Sequence, residues 1–209
     1  MTRLIAIAGA AVLAALMGGI WLLTLGGQGD DGFAQCRASV VAGGAGSIGG
    51  PFELVDETGA TVTDAQVLDE PALVYFGYTY CPDVCPLDLA RNVEAVTLLE
   101  DRGYRVKPVF ISVDPQRDTP EQLAEFTDYL HPRLLGLTGS EAQIKGAAQA
   151  YRAFYQVHAP DAGDKDYYLV DHSTFTYLTL PGTGFAEFFR RDDTAAQMVD
   201  KVQCFLDAR

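Results

Sequence analysis

The chain has 209 residues, 48% of them hydrophobic and 21% charged, a balance that excludes wholesale disorder and supplies enough chain for one core plus an appendage. Lys and Arg number 15 against 28 Asp and Glu, a formal net charge of −13, and so acidic a surface argues against a nucleic-acid partner. The four cysteines are too few for a disulfide scaffold, but enough for one reactive pair and one structural pair.

Leu4 to Leu25 is a run of 22 residues without charge or proline. As a helix it extends roughly 33 Å, enough for a hydrocarbon core of about 30 Å. The run is longer than the apolar part of a cleaved signal peptide, and no small-residue cleavage site follows it. It therefore reads as an uncleaved transmembrane anchor over residues 1–25. Arg3 precedes it and Asp30 and Asp31 follow, which leaves the N-terminus cytoplasmic and the remainder outside. For a bacterial chain that means a single-pass protein of the inner membrane with its C-terminal domain in the periplasm, where disulfides persist. Residues 26–49, rich in Gly, Ala and Ser, read as a flexible tether. Residues 50–209 read as one folded domain.

Within that domain, Phe52–Val55 and Ala60–Thr63 flank a glycine turn and predict a hairpin. Ala72–Tyr78 is almost wholly apolar, as a strand buried on both faces would be. Leu89, Val93, Val96 and Leu99 recur at helical spacing, and Gly103 ends that helix. Arg105–Val113 returns as a strand. Thr119-Pro120-Glu121-Gln122 and Ser140-Glu141-Ala142-Gln143 carry helix-start signals of the capping-box kind. Tyr167–Val170, Phe175–Leu180 and Phe185–Phe189 are strand-like, and Ala195, Met198, Val199, Val202, Phe205 and Leu206 line one face of a last helix. Strands alternating with helices predict an α/β sandwich with a mixed central sheet.

The chemistry lies in Tyr80-Cys81-Pro82-Asp83-Val84-Cys85-Pro86. Cys81 and Cys85 are four residues apart, directly after a buried strand and at a helix start. That spacing lets both sulfurs point the same way, and the amides of a helix N-terminus favour thiolate over thiol. The pair suits a reversible disulfide or two soft ligands for one metal ion; a static disulfide or packed thiols are the plainer alternatives. Of the three histidines, His131 reads as a helix-end residue and His158 as a loop residue. His172, in Tyr168-Leu169-Val170-Asp171-His172-Ser173, stands between two apolar runs, where an imidazole can be projected toward neighbouring strand ends.

Three blocks in order, GYTYCPDVCP at Gly77–Pro86, ISVDPQRDTPEQL at Ile111–Leu123 and YLVDHS at Tyr168–Ser173, closely resemble those of the Sco/SenC proteins. The likeness spans roughly Gly50 to Leu206. It implies a thioredoxin-like fold, a membrane anchor and a part in copper delivery to cytochrome c oxidase. By resemblance, Cys81, Cys85 and His172 are the copper ligands. Two thiolates and an imidazole suit Cu(I), and with an added oxygen donor Cu(II). Asp171 and Asp83 are candidates to orient the imidazole or complete the sphere. Asp114, Arg117 and Asp118 receive no ligand role. The resemblance also implies the partners, a periplasmic copper donor and subunit II of the oxidase with its CuA site. It supports two activities: a metallochaperone that needs all three residues, and a thiol–disulfide oxidoreductase that needs Cys81 and Cys85 as a redox-active pair. Cys36 and Cys204 fall outside the three blocks, and an oxidising compartment predicts that they pair with each other, the alternatives being an intermolecular Cys36 bridge within a dimer and a pair of idle thiols.

Overall fold

In the computed structural model the described residues are 13–19, 32–37, 41, 44–158 and 168–209. The predicted anchor over Leu4–Leu25 falls mostly outside them; residues 13–19 are helical, and among the described residues no helix is long and apolar enough to cross a membrane. The chain divides into two compact units, Met1–Gln35 and Cys36–Arg209. The second carries the fold.

It opens with a short 3-10 turn at Ala45–Ser47, followed by β1 (Glu53–Asp56) and β2 (Thr61–Thr63). These form the expected hairpin, Glu53 opposite Thr63, and Gly59 turns the chain with φ +84°, a conformation that side chains other than glycine's rarely tolerate. After a single helical turn, α1 (Asp64–Val67), come β3 (Ala72–Gly77), α2 (Val84–Asp101) and β4 (Lys107–Ser112). All six residues of β3 are buried, because β4 pairs with it in parallel and a later strand pairs with it antiparallel on the other side. The apolar run is thus the signature of a central strand. Gly103 ends the α2 region at φ +85°.

Next come α3 (Pro120–Leu130), β5 (Leu135–Thr138), α4 (Glu141–Ala150), β6 (Tyr155–Val157), β7 (Val170–His172), β8 (Thr176–Leu180), β9 (Gly184–Phe189) and α5 (Ala195–Asp207). Thr119 caps α3 through the Gln122 amide. Ser140 forms a complete capping box at α4, and Thr194 does the same at α5. The main sheet has seven strands in the order β2-β1-β5-β4-β3-β8-β9. β3, β4 and β5 run parallel, and the outer pairs are antiparallel. That is the expected α/β architecture with a mixed central sheet.

Several details differ from the sequence reading, among them the helical turn at Asp64–Val67 and the strand β6, which it does not include. β5 has four residues and lies in what reads as a loop after His131. The strand expected at Tyr167–Val170 is displaced to Val170–His172 and leaves the main sheet, pairing with β6 in a separate two-stranded ribbon; Tyr167 lies outside the described residues. The cause is visible in β6, which is largely exposed and so carries no alternating apolar pattern to betray a strand.

Cys36 and Cys204 are joined in a disulfide with Cα atoms 5.6 Å apart. The expected pairing is present, and it ties the segment before the first strand to α5.

Candidate metal centre

β3 delivers the chain to the site and α2 takes it away. Between them the Cys81 amide donates to the Tyr78 carbonyl at 3.2 Å, folding the loop back so that Cys81 faces the helix start. Cys85 lies inside the first turn of α2, and its amide donates to the Cys81 sulfur at 3.4 Å. The two cysteines therefore converge by a route other than shared helical spacing. Only Cys85 is helical, while the sulfur of Cys81 takes a free amide at the N-terminus that Asp83 leaves without a side-chain cap. A thiolate there meets the positive end of the helix.

The third residue arrives on the ribbon. β7 alternates Val170 inward, Asp171 outward and His172 inward. His172 Nε2 lies 3.2 Å from the Cys85 sulfur, and the ligand atoms of Cys81, Cys85 and His172 all lie within 4.8 Å of one another. His172 Nδ1 sits 2.9 Å from the Ser173 carbonyl oxygen. A carbonyl can only accept, so Nδ1 carries the proton and Nε2 keeps its lone pair for a metal. The imidazole is held edge-on by Tyr75 and Tyr78, with ring centroids 6.1 and 5.8 Å away. The Tyr78 hydroxyl also accepts the Val170 amide at 3.3 Å, fastening the ribbon to the cysteine loop.

Hydrogen bonding from the Cys85 thiol holds Cys81 far below the usual thiol range, down to about 4, with help from the amides of Asp83 and Cys85. The same interaction, together with burial, pushes Cys85 upward. The pair thus shares one proton, with the negative charge on Cys81.

The middle sequence block is the floor of the site. Asp118 is buried and accepts the Thr79 amide at 3.0 Å, the Thr79 hydroxyl at 2.6 Å and the Ser112 hydroxyl at 2.6 Å. It pins the cysteine loop to the end of β4. Asp114 takes Arg117 Nε and the Tyr168 hydroxyl, and the Arg117 guanidinium lies 3.6 Å from the Tyr168 ring centroid and 4.9 Å from that of Tyr80. These residues shape the loop and lie outside the Cys81, Cys85 and His172 cluster.

The candidate helpers of His172 are elsewhere. Asp171 points outward and pairs with His158 at 2.8 Å, because adjacent strand residues face opposite sides. Asp83 is exposed. The Ser173 carbonyl orients the imidazole instead, and a backbone atom has no sequence signature. His131 bonds the Arg133 amide at the end of α3, as a helix-end residue should.

This geometry can be set beside known proteins. A family model described as SCO1/SenC matches residues 41–207. The chain belongs to the SCO1/SenC family. It is 52% identical over 203 residues to Protein SenC of Rhodobacter capsulatus, covering 97% of this chain and 90% of that one. Among solved structures it resembles Arabidopsis thaliana ScoI with copper bound, with a TM-score of 0.71 and 39% identity, covering 77% of this chain and 99% of that one. Yeast Sco1 with copper bound gives a TM-score of 0.73 at 35% identity over 78% and 90% of the two chains. The SCO1/SenC fold is thioredoxin-like, with the mixed central sheet described above. Relatives in this family hold copper, and the Cys–Cys–His cluster is a donor set of the softness copper prefers.

Three residues of this SCO1/SenC site escaped sequence reasoning. Tyr75 and Tyr78 look like core strand residues, and Gly77 like a strand end. The last one carried a signal, a glycine at the close of an apolar strand immediately before a cysteine loop, where close approach of backbone to another atom is the usual reason.

Proposed function

We propose that this protein is a copper metallochaperone that takes one copper ion on Cys81, Cys85 and His172 and passes it to the CuA site of cytochrome c oxidase subunit II. The observation that carries the reading is the convergence of two sulfurs and a lone-pair-bearing Nε2 within 4.8 Å. Three protein ligands hold a soft ion and leave a coordination position through which an acceptor's ligand can enter, so transfer proceeds by exchange. The copper-bound relatives support the choice of metal. In this reading the apolar segment over Leu4–Leu25 anchors the chain in the inner membrane. The domain then works in the periplasm, receiving its ion from a copper donor there.

A second activity has its own support. The Cys81 thiolate is the more accessible sulfur of the pair and the one held in charged form. It can attack a target disulfide, after which Cys85 displaces the target; the Cys81–Cys85 disulfide forms as the target gains two thiols. This would prepare acceptor cysteines for copper.

Copper titration of the reduced full chain in detergent separates the two. One copper per chain is expected, with a thiolate-to-Cu(II) charge-transfer band that is lost in Cys81→Ser and Cys85→Ser. His172→Ala should lose tight copper binding while retaining disulfide reductase activity. Undiminished copper affinity in His172→Ala would sink the chaperone reading.

A further inference from the structure

We propose that Arg117 is a positioning residue of the metal centre, gripping Tyr168 at the approach to β7 so that His172 already stands beside the two cysteines when copper arrives. The assignment rests on the copper reading of the site and deepens it. Arg117 lies between β4 and α3 and contributes no atom to the Cys81, Cys85 and His172 cluster. Its side chain is nevertheless only 11% exposed. Burying a guanidinium costs free energy unless it is paired, so its place needs a reason.

That reason is the ribbon. β6 and β7 stand apart from the main sheet, and two strands by themselves are marginally stable. His172 sits on the second of them, so its position is only as firm as the ribbon's attachment to the domain. One attachment is the Val170 amide on the Tyr78 hydroxyl. Another is at Tyr168, which is buried and precedes His172 by four residues. The Tyr168 hydroxyl donates to Asp114 Oδ1 at 2.6 Å, and Arg117 Nε donates to Asp114 Oδ2 at 2.5 Å. The guanidinium carbon lies 3.6 Å from the Tyr168 ring centroid. The three side chains thus close a triangle. Arginine suits it because a guanidinium can cover a ring and bond a carboxylate at once, which an ammonium does less well.

The cysteine loop is fastened separately. Asp118 holds it through Thr79 and Ser112, while Tyr80, beside Cys81, is 53% exposed and its ring lies farther from Arg117, at 4.9 Å. Loss of Arg117 therefore loosens His172 and leaves the two sulfurs in place. An arriving ion then meets two donors instead of three.

The test uses the reduced full chain in detergent, loaded with copper alone, with affinity read by competition against a chelator. Arg117→Met keeps an unbranched stem and removes the guanidinium. The expected result is a loss of about 10–100-fold in copper affinity, the usual effect of removing an outer partner of a metal site. The thiolate-to-Cu(II) band should persist, and the nitrogen coupling of His172 in the electron paramagnetic resonance spectrum should weaken. With His172→Ala as background the imidazole is gone, so adding Arg117→Met should leave the residual affinity of the two thiolates unchanged. A merely structural role would lower affinity equally in both backgrounds. That result, no loss in either background, or an undiminished nitrogen coupling overturns the assignment. Should Arg117→Met fail to fold, Arg117→Lys, which keeps a cation beside Asp114, is judged by the same comparison. Absence of copper binding in the unaltered protein overturns the copper reading and this assignment together, whereas normal binding with the variant results failing overturns the assignment alone.

Discussion

Gly77 closes β3 where the backbone runs past the Cys85 sulfur. A Cβ there would lie 2.8 Å from that sulfur, 2.9 Å from Phe110 and 3.0 Å from Tyr75, all below van der Waals contact. Each of those neighbours is fully buried, so none has free space to move into. Gly77→Ala is expected to destabilise the fold by about 1–3 kcal/mol, the usual penalty of overpacking, and to weaken copper binding by displacing Cys85. Denaturant unfolding and copper titration check the two effects. The cysteines make a second prediction at this scale. A lowered pKa means that Cys81 is already thiolate at pH 6, where a thiol at the ordinary value of about 8.5 is almost entirely protonated. Iodoacetamide should therefore alkylate Cys81 at a rate nearly constant from pH 6 to 8. Cys85, pushed upward and buried, should stay unmodified. A rate climbing about tenfold per pH unit over that range would mean an unperturbed thiol.

Between elements, Asp118 is the fastening that matters most for the site. It joins the end of β4 to the cysteine loop through Ser112 and Thr79. Removing a buried acceptor leaves its donors unsatisfied at about 1–3 kcal/mol each. Asp118→Ala should accordingly lower stability by about 2–4 kcal/mol and speed copper release to a chelator, because the loop bearing Cys81 loses its anchor. Stopped-flow transfer to a chromophoric chelator measures the second effect, and an unchanged off-rate would remove Asp118 from the account. What could be read in advance divides along the same line. β3, α2 and the cysteine pair announce themselves in a few neighbouring residues, by an apolar run, a helical period and a motif. The capping boxes at Ser140 and Thr194 are likewise local. The delivery of His172 is not. It depends on β6 pairing with β7 and on Tyr78 bonding Val170, 92 residues away. Neither short, half-exposed strands nor a backbone carbonyl such as that of Ser173 leaves a trace in the sequence. Asp171 misled for the opposite reason: it adjoins His172 in sequence, and strand alternation turns it away.

Across the whole molecule the Cys36–Cys204 bridge closes a loop of 168 residues that contains every strand among the described residues and the whole Cys81–Cys85–His172 cluster. The chain-entropy model assigns such a closure roughly 5 kcal/mol, less whatever structure the unfolded chain retains. The double variant Cys36→Ser, Cys204→Ser should therefore lose about 3–5 kcal/mol against denaturant while still binding one copper. If it also lost copper, the bridge would have to be counted as part of the site and not only as a brace for the fold.

Closure of that loop also decides how the domain bears mechanical load. Tension applied to the segment before Cys36 passes through sulfur directly into α5 and bypasses the hydrogen bonds of the β1–β2 hairpin. Stretched between its two ends, the oxidised chain can lengthen only outside the loop. Reduction would release a further contour of about 570 Å. A domain pulled by its N-terminal side thus moves as one bead on a cord, and Cys81, Cys85 and His172, lying inside the closed loop, are spared the strain.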